Sequence, residues 1–237
     1  LHDCRLGEMD APLVRHLTPL TRSLRWIELI AVFALLPWLA TVWRLQRAII
    51  PILLAGCGLV LFMLLRDSTF DRKQLWNVAG LAIYTSPWLW LALAGGTAFL
   101  FGFTYWASKT SWAHASLSLF SFPRHNPRFW ALVMLAYPIL SVYPQELIFR
   151  TFFFHRYAPL LPSSPLMMVV NGLAFGWAHI LLRHWIPVSF TSVGGIGFAW
   201  VYARSRSTLA AGLAHAYFGD MIFSVGLGWY FYGGSAR

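Results

Sequence analysis

Apolar runs of about 20 residues recur along the whole chain, separated by short polar stretches. A run of this length spans the hydrocarbon core of a bilayer as one α-helix. Seven runs predict spanning helices: 24–43, 48–65, 85–107, 129–157, 165–182, 186–203 and 207–232. The run 129–157 is too long for one straight crossing, so Pro138 and Pro144 are expected to kink or divide it. The pattern predicts an all-α fold, a polytopic membrane helical bundle with seven or eight transmembrane helices.

Two segments interrupt this pattern. Residues 68–84 mix apolar and polar positions, which is typical of an amphipathic helix lying in the membrane interface. Residues 108–128 are polar and rich in proline, and they form the clearest boundary in the chain. We therefore expect an N-terminal part, 1–125, made of a cytoplasmic-like arm, transmembrane helices and the interfacial segment. A core part, 126–237, follows it.

Composition agrees with a membrane protein. Of the 237 residues, 58% are hydrophobic and 11% are charged, against about 25% charged residues in soluble domains. The net charge is +10, and the basic residues stand singly or in pairs between apolar runs. This distribution is typical of contacts with anionic lipid headgroups and of signals that set membrane topology. The sequence contains no basic stripe, so a nucleic-acid partner is not expected. Cys4 and Cys57 predict no disulfide framework, and the chain start predicts neither a signal peptide nor a lipoprotein.

A few strongly polar residues fall inside the apolar runs: Glu28, Gln145, Glu146, Arg150, Asn171, His179, His215 and Asp220. A charged group at mid-bilayer costs about 2.5–3.5 kcal/mol on insertion scales, so such groups usually face the bundle interior and mark a function. Glu28 lies near the start of its run and is expected to snorkel to the interface. Asn171 is expected to form a hydrogen bond between helices. The remaining histidines are expected to be solvated, at or near loops: His2, His16, His114, His125, His155 and His184.

Three of the interior groups come out at similar depth. Counted at 1.5 Å per residue from one membrane face, Glu146 lies about 17 Å deep, His179 about 21 Å and His215 about 12 Å. This convergence suggests one shared, water-accessible cavity near the middle of the membrane. A carboxylate can act there as a general base on water, and an imidazole can orient that water or stabilise an oxyanion. Arg150, four residues after Glu146, either aims the carboxylate or forms a purely structural ion pair with it.

The motifs resemble a known family, the type II CAAX prenyl endopeptidases and bacteriocin-processing proteins, which are glutamate-type intramembrane proteases. "QELIFR" is similar to the first family motif at Glu146 and Arg150, "FGWAH" to the second at Phe175 and His179, and "HAYFGD" to the third at His215. The resemblance implies an intramembrane endopeptidase without a cofactor, with residues 126–237 as its catalytic core. It implies that Glu146 activates water, His179 assists and His215 stabilises the oxyanion.

The resemblance also implies the surroundings of this activity. The substrate would be a membrane-anchored or membrane-embedded protein in the lipid bilayer. "SVYPQELIFRTFFFHRY" is similar to bacterial members that process C-terminal sorting tails, which places the chain in a bacterial inner membrane. The chain departs from the family pattern twice. Gln145 stands where the family has its first glutamate, so either Glu146 takes over that role or the protein is not a protease. Gly219 stands where a polar residue is usual, and Asp220 reaches the cavity only if its helix is distorted beside Gly219.

Three other functions stay open at this point. Glu146, His179 and His215 could hold zinc in a metalloprotease, although no HExxH motif is present. The two departures could mark a non-catalytic immunity or scaffolding protein with a degenerate protease site. Intramembrane Glu and His could also form the relay of a proton-coupled transporter, although the chain shows no internal inverted repeat.

Overall fold

The computed structural model describes residues 17–110, 117–161 and 163–232. Within these ranges the secondary structure is entirely helical. Six described helices are long and apolar enough to cross a membrane. We label them α1 (Pro19–Val42), α2 (Leu45–Arg66), α3 (Pro87–Ala107), α5 (Pro127–Tyr157), α6 (Ser164–Leu182) and α7 (Trp185–Ser205). The short helices α4 (Ser121–His125) and α9 (Gly228–Phe231), and the 18-residue helix α8 (Thr208–Val225), complete the set.

The all-α membrane bundle is thus confirmed, and the chain is an integral membrane protein. The first six expected runs correspond to the six candidate spans. The seventh corresponds to α8, which ends at Val225 because Gly226 adopts φ +108° and closes the helix. Such a left-handed position at a helix C-terminus favours glycine. The expected number of seven or eight crossings stays a prediction.

Helix α5 is continuous over 31 residues and is not divided at its prolines. Its α-helical parts alternate with two π-helical segments, Pro138–Val142 and Leu147–Phe152. In the first, the Tyr143 N–H donates to the Pro138 carbonyl, five residues back. Proline removes one backbone donor, and a π segment accommodates the extra residue locally. The two segments flank the turn Tyr143–Glu146, which carries two of the predicted site residues.

Small residues bring α6 and α7 into close contact. A side-chain carbon on Gly172 would lie 3.0 Å from the Ile196 Cα, and one on Gly176 would lie 2.8 Å from the Ser192 Cα. Gly195 faces Phe175 in the same way. Such approach is the usual basis of helix association in lipid, where there is no hydrophobic drive between helices. The pair holds His179, at the end of α6, in a fixed position relative to α7.

The segment 68–84 differs from the expected interfacial helix. It forms two 3-10 segments, Arg72–Leu75 and Val78–Thr85, which dock on the turn between α7 and α8. The Asn77 side chain donates to the Ser205 carbonyl at 3.1 Å, and the Ser207 hydroxyl donates to the Asn77 carbonyl at 2.8 Å. These polar contacts fix the segment against the turn between α7 and α8.

Two ion pairs fasten the same end of the bundle. Glu28 of α1 binds Arg156 of α5 through both carboxylate oxygens, at 2.9 and 2.8 Å, and accepts the Tyr157 hydroxyl. His155 lies 3.0 Å from the Asp67 carboxylate and is 12% exposed. The expected solvation of His155 is therefore wrong, because its side chain is largely buried and paired with Asp67. The Glu28 side chain is 28% exposed, and its expected position at the interface stays a prediction. His184 is half-buried and accepts the Ile186 N–H, while His125 is exposed.

The expectations for Cys4, His2, His16 and His114, and for the N-terminal arm, concern residues outside the described ranges.

Candidate active site

A cavity of about 1760 Å³ occupies the middle of the bundle. Its walls come from α1, α2, α3, α5, α6, α7 and α8, and most of them are apolar. It extends to the turn before α2 and the end of α6, which is the membrane end opposite the Glu28–Arg156 pair. Five polar side chains line its inner part: Tyr137, Ser141, Gln145, His179 and His215. A cavity of this size can accept a peptide segment together with water.

His215 and Glu146 form a direct hydrogen bond. The distance from His215 Nδ1 to Glu146 Oε1 is 2.9 Å, and the carboxylate is fully buried. An ionised carboxylate only accepts, so the imidazole donates its Nδ1–H, which leaves Nε2 as an acceptor. Glu146 does not line the cavity, whereas His215 does. The imidazole therefore stands between the carboxylate and the cavity.

Arg150 closes the other side of the carboxylate. Its Nε lies 3.3 Å from Glu146 Oε2, and its Nη1 donates to the Asn171 side chain at 2.9 Å. Asn171 in turn donates to the Phe149 backbone carbonyl. Arg150 and Asn171 are both fully buried. The expected interhelical hydrogen bond of Asn171 is thus present, and it fixes the guanidinium that faces Glu146.

Phe175 packs against the Arg150 guanidinium and against both imidazoles of the site. Its ring lies 4.6 Å from the Arg150 guanidinium, 4.8 Å from the His179 ring and 5.3 Å from the His215 ring. Phe198 stacks face to face on the His215 ring, at 4.8 Å and 15°, and its own ring lies 6.4 Å from the Phe175 ring. The two phenyl rings exclude solvent around the His215–Glu146 pair, and they hold both imidazoles on one side of the site.

His179 begins the 3-10 turn His179–Leu182 that ends α6. Its Nδ1 donates to the Phe175 carbonyl at 2.9 Å, so its Nε2 is the remaining acceptor. Since His179 lines the same cavity as His215, the structure brings together two of the three groups that the depth argument placed in a shared cavity. The third, Glu146, reaches the cavity only through His215.

Gln145 lines the cavity, whereas Glu146 does not. The Gln145 side-chain amide donates to the Ser141 hydroxyl at 2.7 Å. Asp220 is not part of the wall, and its buried Oδ1 accepts no hydrogen bond from the described residues. The distortion beside Gly219 that Asp220 would need to reach the cavity is not present, because the helix is regular from Thr208 to Val225. Asp220 therefore stays about 100° around the helix from Gly219.

The sequence interpretation missed Tyr137. Its hydroxyl lies 3.3 Å from His215 Nε2, and its ring fills the space that a side chain at position 219 would occupy. A side-chain carbon on Gly219 would overlap the Tyr137 ring and hydroxyl. The missing side chain one turn after His215 was the available signal, because it predicts that another residue approaches there.

A three-ligand metal centre was one alternative for Glu146, His179 and His215. Among the residues that the structure describes, no group of three or more His, Cys, Asp or Glu side chains is placed to hold a metal ion. Glu146 and His215 are instead paired with each other, and His179 uses one ring nitrogen to bind a backbone carbonyl.

Comparison with known proteins gives one finding. Residues 127–219 match the family model described as Rce1-like, type II CAAX prenyl endopeptidase Rce1-like. No curated protein and no solved structure matches the chain. The matched range includes every side chain of the Glu146, Arg150, Asn171, Phe175, His179 and His215 cluster. Residues 127–219 are thus similar to the Rce1-like type II CAAX prenyl endopeptidases.

Proposed function

We propose that this protein is an intramembrane endopeptidase that hydrolyses a peptide bond of a membrane-associated protein. The observation that carries the proposal is the Glu146–His215 pair, buried on one side and open to a large intramembrane cavity on the other. A carboxylate that holds an imidazole in one tautomer, with the second nitrogen free to accept a proton, is the arrangement of a general base. The family match supports the same reaction class.

In the proposed reaction, a cavity water binds to His215 Nε2. The imidazole takes the water proton as the oxygen attacks the carbonyl carbon, and the carbonyl electron pair moves to its oxygen. Glu146 stabilises the imidazolium that forms, and Arg150 holds Glu146 in position. The C–N bond then breaks, and the leaving nitrogen takes the proton back from His215. Glu146 thus acts through His215, instead of contacting the water itself as the sequence suggested.

His179 is proposed as the second ligand of the attacking water. Its Nε2 is free to accept, and its ring packs on the same phenyl group as the His215 ring. One water molecule can donate one proton to each imidazole, which directs a lone pair toward the substrate carbonyl. Gln145, on the same wall, can hold the substrate backbone through its side-chain amide.

The proposed substrate is a membrane-anchored protein whose apolar tail enters the cavity from the bilayer. The walls support this, since their described residues are mostly apolar. A C-terminal sorting tail and a bacterial inner membrane agree with the similarity of "SVYPQELIFRTFFFHRY" to bacterial members. We further propose residues 126–237 as the catalytic unit and the helices of 1–125 as walls that complete its cavity.

The test uses the purified protein reconstituted in liposomes. The model substrate is one spanning helix followed by a randomised C-terminal tail, and released peptides are identified by mass spectrometry. We expect Glu146→Gln, His215→Gln and His179→Gln to lower kcat by about 10²–10⁴. The chain offers matched controls. Glu28 pairs with an arginine as Glu146 does, and His155 binds a carboxylate as His215 does, but neither lines the cavity. Glu28→Gln and His155→Gln are therefore the control variants.

Cleavage by the wild type and by both control variants, with loss in the three site variants, supports the proposal. Unchanged turnover in Glu146→Gln or His215→Gln would contradict the assigned roles. A wild-type protein that binds tails and cleaves none of them would instead favour the non-catalytic alternative.

A further inference from the structure

Tyr137 is the cavity residue that the proposed reaction leaves without a role. It lies on α5, two turns before Gln145, and comes from a different part of the helix than the Glu146–Arg150 pair. Its hydroxyl is 3.3 Å from His215 Nε2, the nitrogen that must accept the water proton. Because Nε2 is an acceptor, the phenol donates. In the resting site, Tyr137 therefore occupies the position that the attacking water needs.

This contact has a consequence for catalysis. When water binds to Nε2, the phenol loses its acceptor but keeps its proton and stays beside the reacting atoms. The carbonyl oxygen of the substrate lies next to the attacking water and gains negative charge during attack. A preorganised donor at that place stabilises the transition state more than the ground state.

We propose that Tyr137 is a catalytic residue that donates its hydroxyl hydrogen bond to the oxyanion of the tetrahedral intermediate. This inference rests on the proposed function. In the resting enzyme the same hydroxyl donates a hydrogen bond to His215 Nε2. The phenol thus donates first to the imidazole and then, during the reaction, to the oxyanion. The hydroxyl keeps its proton throughout, and the attacking water supplies the proton that His215 carries.

The packing around Tyr137 supports a fixed donor. The ring stands edge-to-face against Phe223 at 5.4 Å and against His215 at 6.2 Å. Gly219 leaves the space that the ring fills, since a side chain there would overlap it. The ring is thus held on two sides, and the residue lines the same cavity as His215.

The test removes only the hydroxyl. Tyr137→Phe should lower kcat on the model substrate by about 10²–10³, the usual loss of one oxyanion donor, and leave KM within threefold. Tyr143→Phe is the matched control. Tyr143 lies on the same helix, its hydroxyl donates to the Leu75 carbonyl at 3.1 Å, and it does not line the cavity. That variant should keep kcat within threefold of wild type.

A binding measurement separates oxyanion contact from a structural role. A phosphinate that replaces the scissile bond of the cleaved model tail carries a tetrahedral, anionic centre. We expect Tyr137→Phe to weaken binding of this phosphinate by the same factor as kcat, and to bind the uncleaved tail peptide as wild type does. Equal weakening of both ligands, or a kcat within threefold of wild type, would overturn the assignment.

Failure of this inference is distinguishable from failure of the proposed function. If His215→Gln is inactive while Tyr137→Phe is fully active, the peptidase stands and the oxyanion role falls. If the wild type cleaves none of the tails, both fall.

Discussion

Arg150 gives the sharpest stability prediction, because it is a fully buried charge with identified partners. Arg150→Met keeps most of the side-chain volume but leaves the Glu146 carboxylate without its cation, and leaves the Asn171 side chain without the guanidinium. Removing one partner of a buried ion pair costs about 3–5 kcal/mol, since the other charge stays uncompensated. We therefore expect the free energy of unfolding in detergent micelles to fall by about 3–5 kcal/mol. Unfolding is followed by the fluorescence of the 13 tryptophans during titration with denaturant.

The matched control is Arg156→Met. Arg156 pairs with Glu28, but the two side chains are 31% and 28% exposed, and Glu28 keeps its Tyr157 hydrogen bond. Water screens such a pair, so the loss should be about 0.2–1 kcal/mol. The double variant Arg150→Met/Glu146→Gln removes the stranded charge and should recover at least about half of the loss. If Arg150→Met costs no more than Arg156→Met, or if the double variant is no more stable than the single one, the buried pair does not work as described.

Three further predictions follow from single contacts. Gly219→Ala should lower both kcat and the thermal midpoint, because the new methyl group displaces the Tyr137 ring. Gly212 has open space around it, so Gly212→Ala should keep the midpoint or raise it. Thermal scans and turnover measurements of the two variants check this. Asn171→Leu should cost about 1–3 kcal/mol of unfolding free energy, because Arg150 Nη1 and the Phe149 carbonyl lose a buried partner; denaturant titration measures it. Hydrogen bonds from Thr69 and His155 hold the pKa of the Asp67 carboxyl below its ordinary value. The unfolded chain takes up that proton first, so the stabilisation is present above pH about 4 and is lost as the pH falls below it. Asp67→Asn should then show a smaller drop in thermal midpoint between neutral pH and pH about 3 than wild type.

The fold class followed from the sequence because the length of apolar runs is itself the physical constraint on a spanning helix. The six candidate spans coincide with six of the expected runs for that reason. Depth along a helix could also be calculated, since the rise per residue is fixed. It was enough to group His179 and His215 on one cavity.

The direction of each side chain around its helix could not be obtained in this way. Two π segments in α5 shift the angular position of every residue after them, and no spacing rule predicts where they occur. Consequently the sequence placed Glu146 on the cavity, whereas the structure places Gln145 there and Glu146 behind His215. Tyr137 was missed for a related reason, because its role depends on the empty space over Gly219 on another helix. The 3-10 segments after α2 depend on contacts with residues more than 100 positions away.

The order of the groups, from cavity to core, explains how an ionised site can exist beside an apolar substrate tail. The inner wall presents a phenol, an amide, a hydroxyl and two imidazoles, whereas the charged Glu146 and Arg150 are not part of the wall and lie behind it. A tail that enters therefore meets no fixed charge in the inner cavity, and the cost of burying charge is offset within the Glu146–Arg150–Asn171 cluster. In the proposed reaction, charge reaches the wall only when His215 takes the water proton, and at that moment Glu146, 2.9 Å away, is already in place to stabilise it. Stabilisation that appears only with the transition-state charge raises kcat without tightening the ground state. Under this proposal, Gln145 in place of the wall-facing glutamate is compatible with catalysis, because the carboxylate that the reaction uses is the one behind the imidazole.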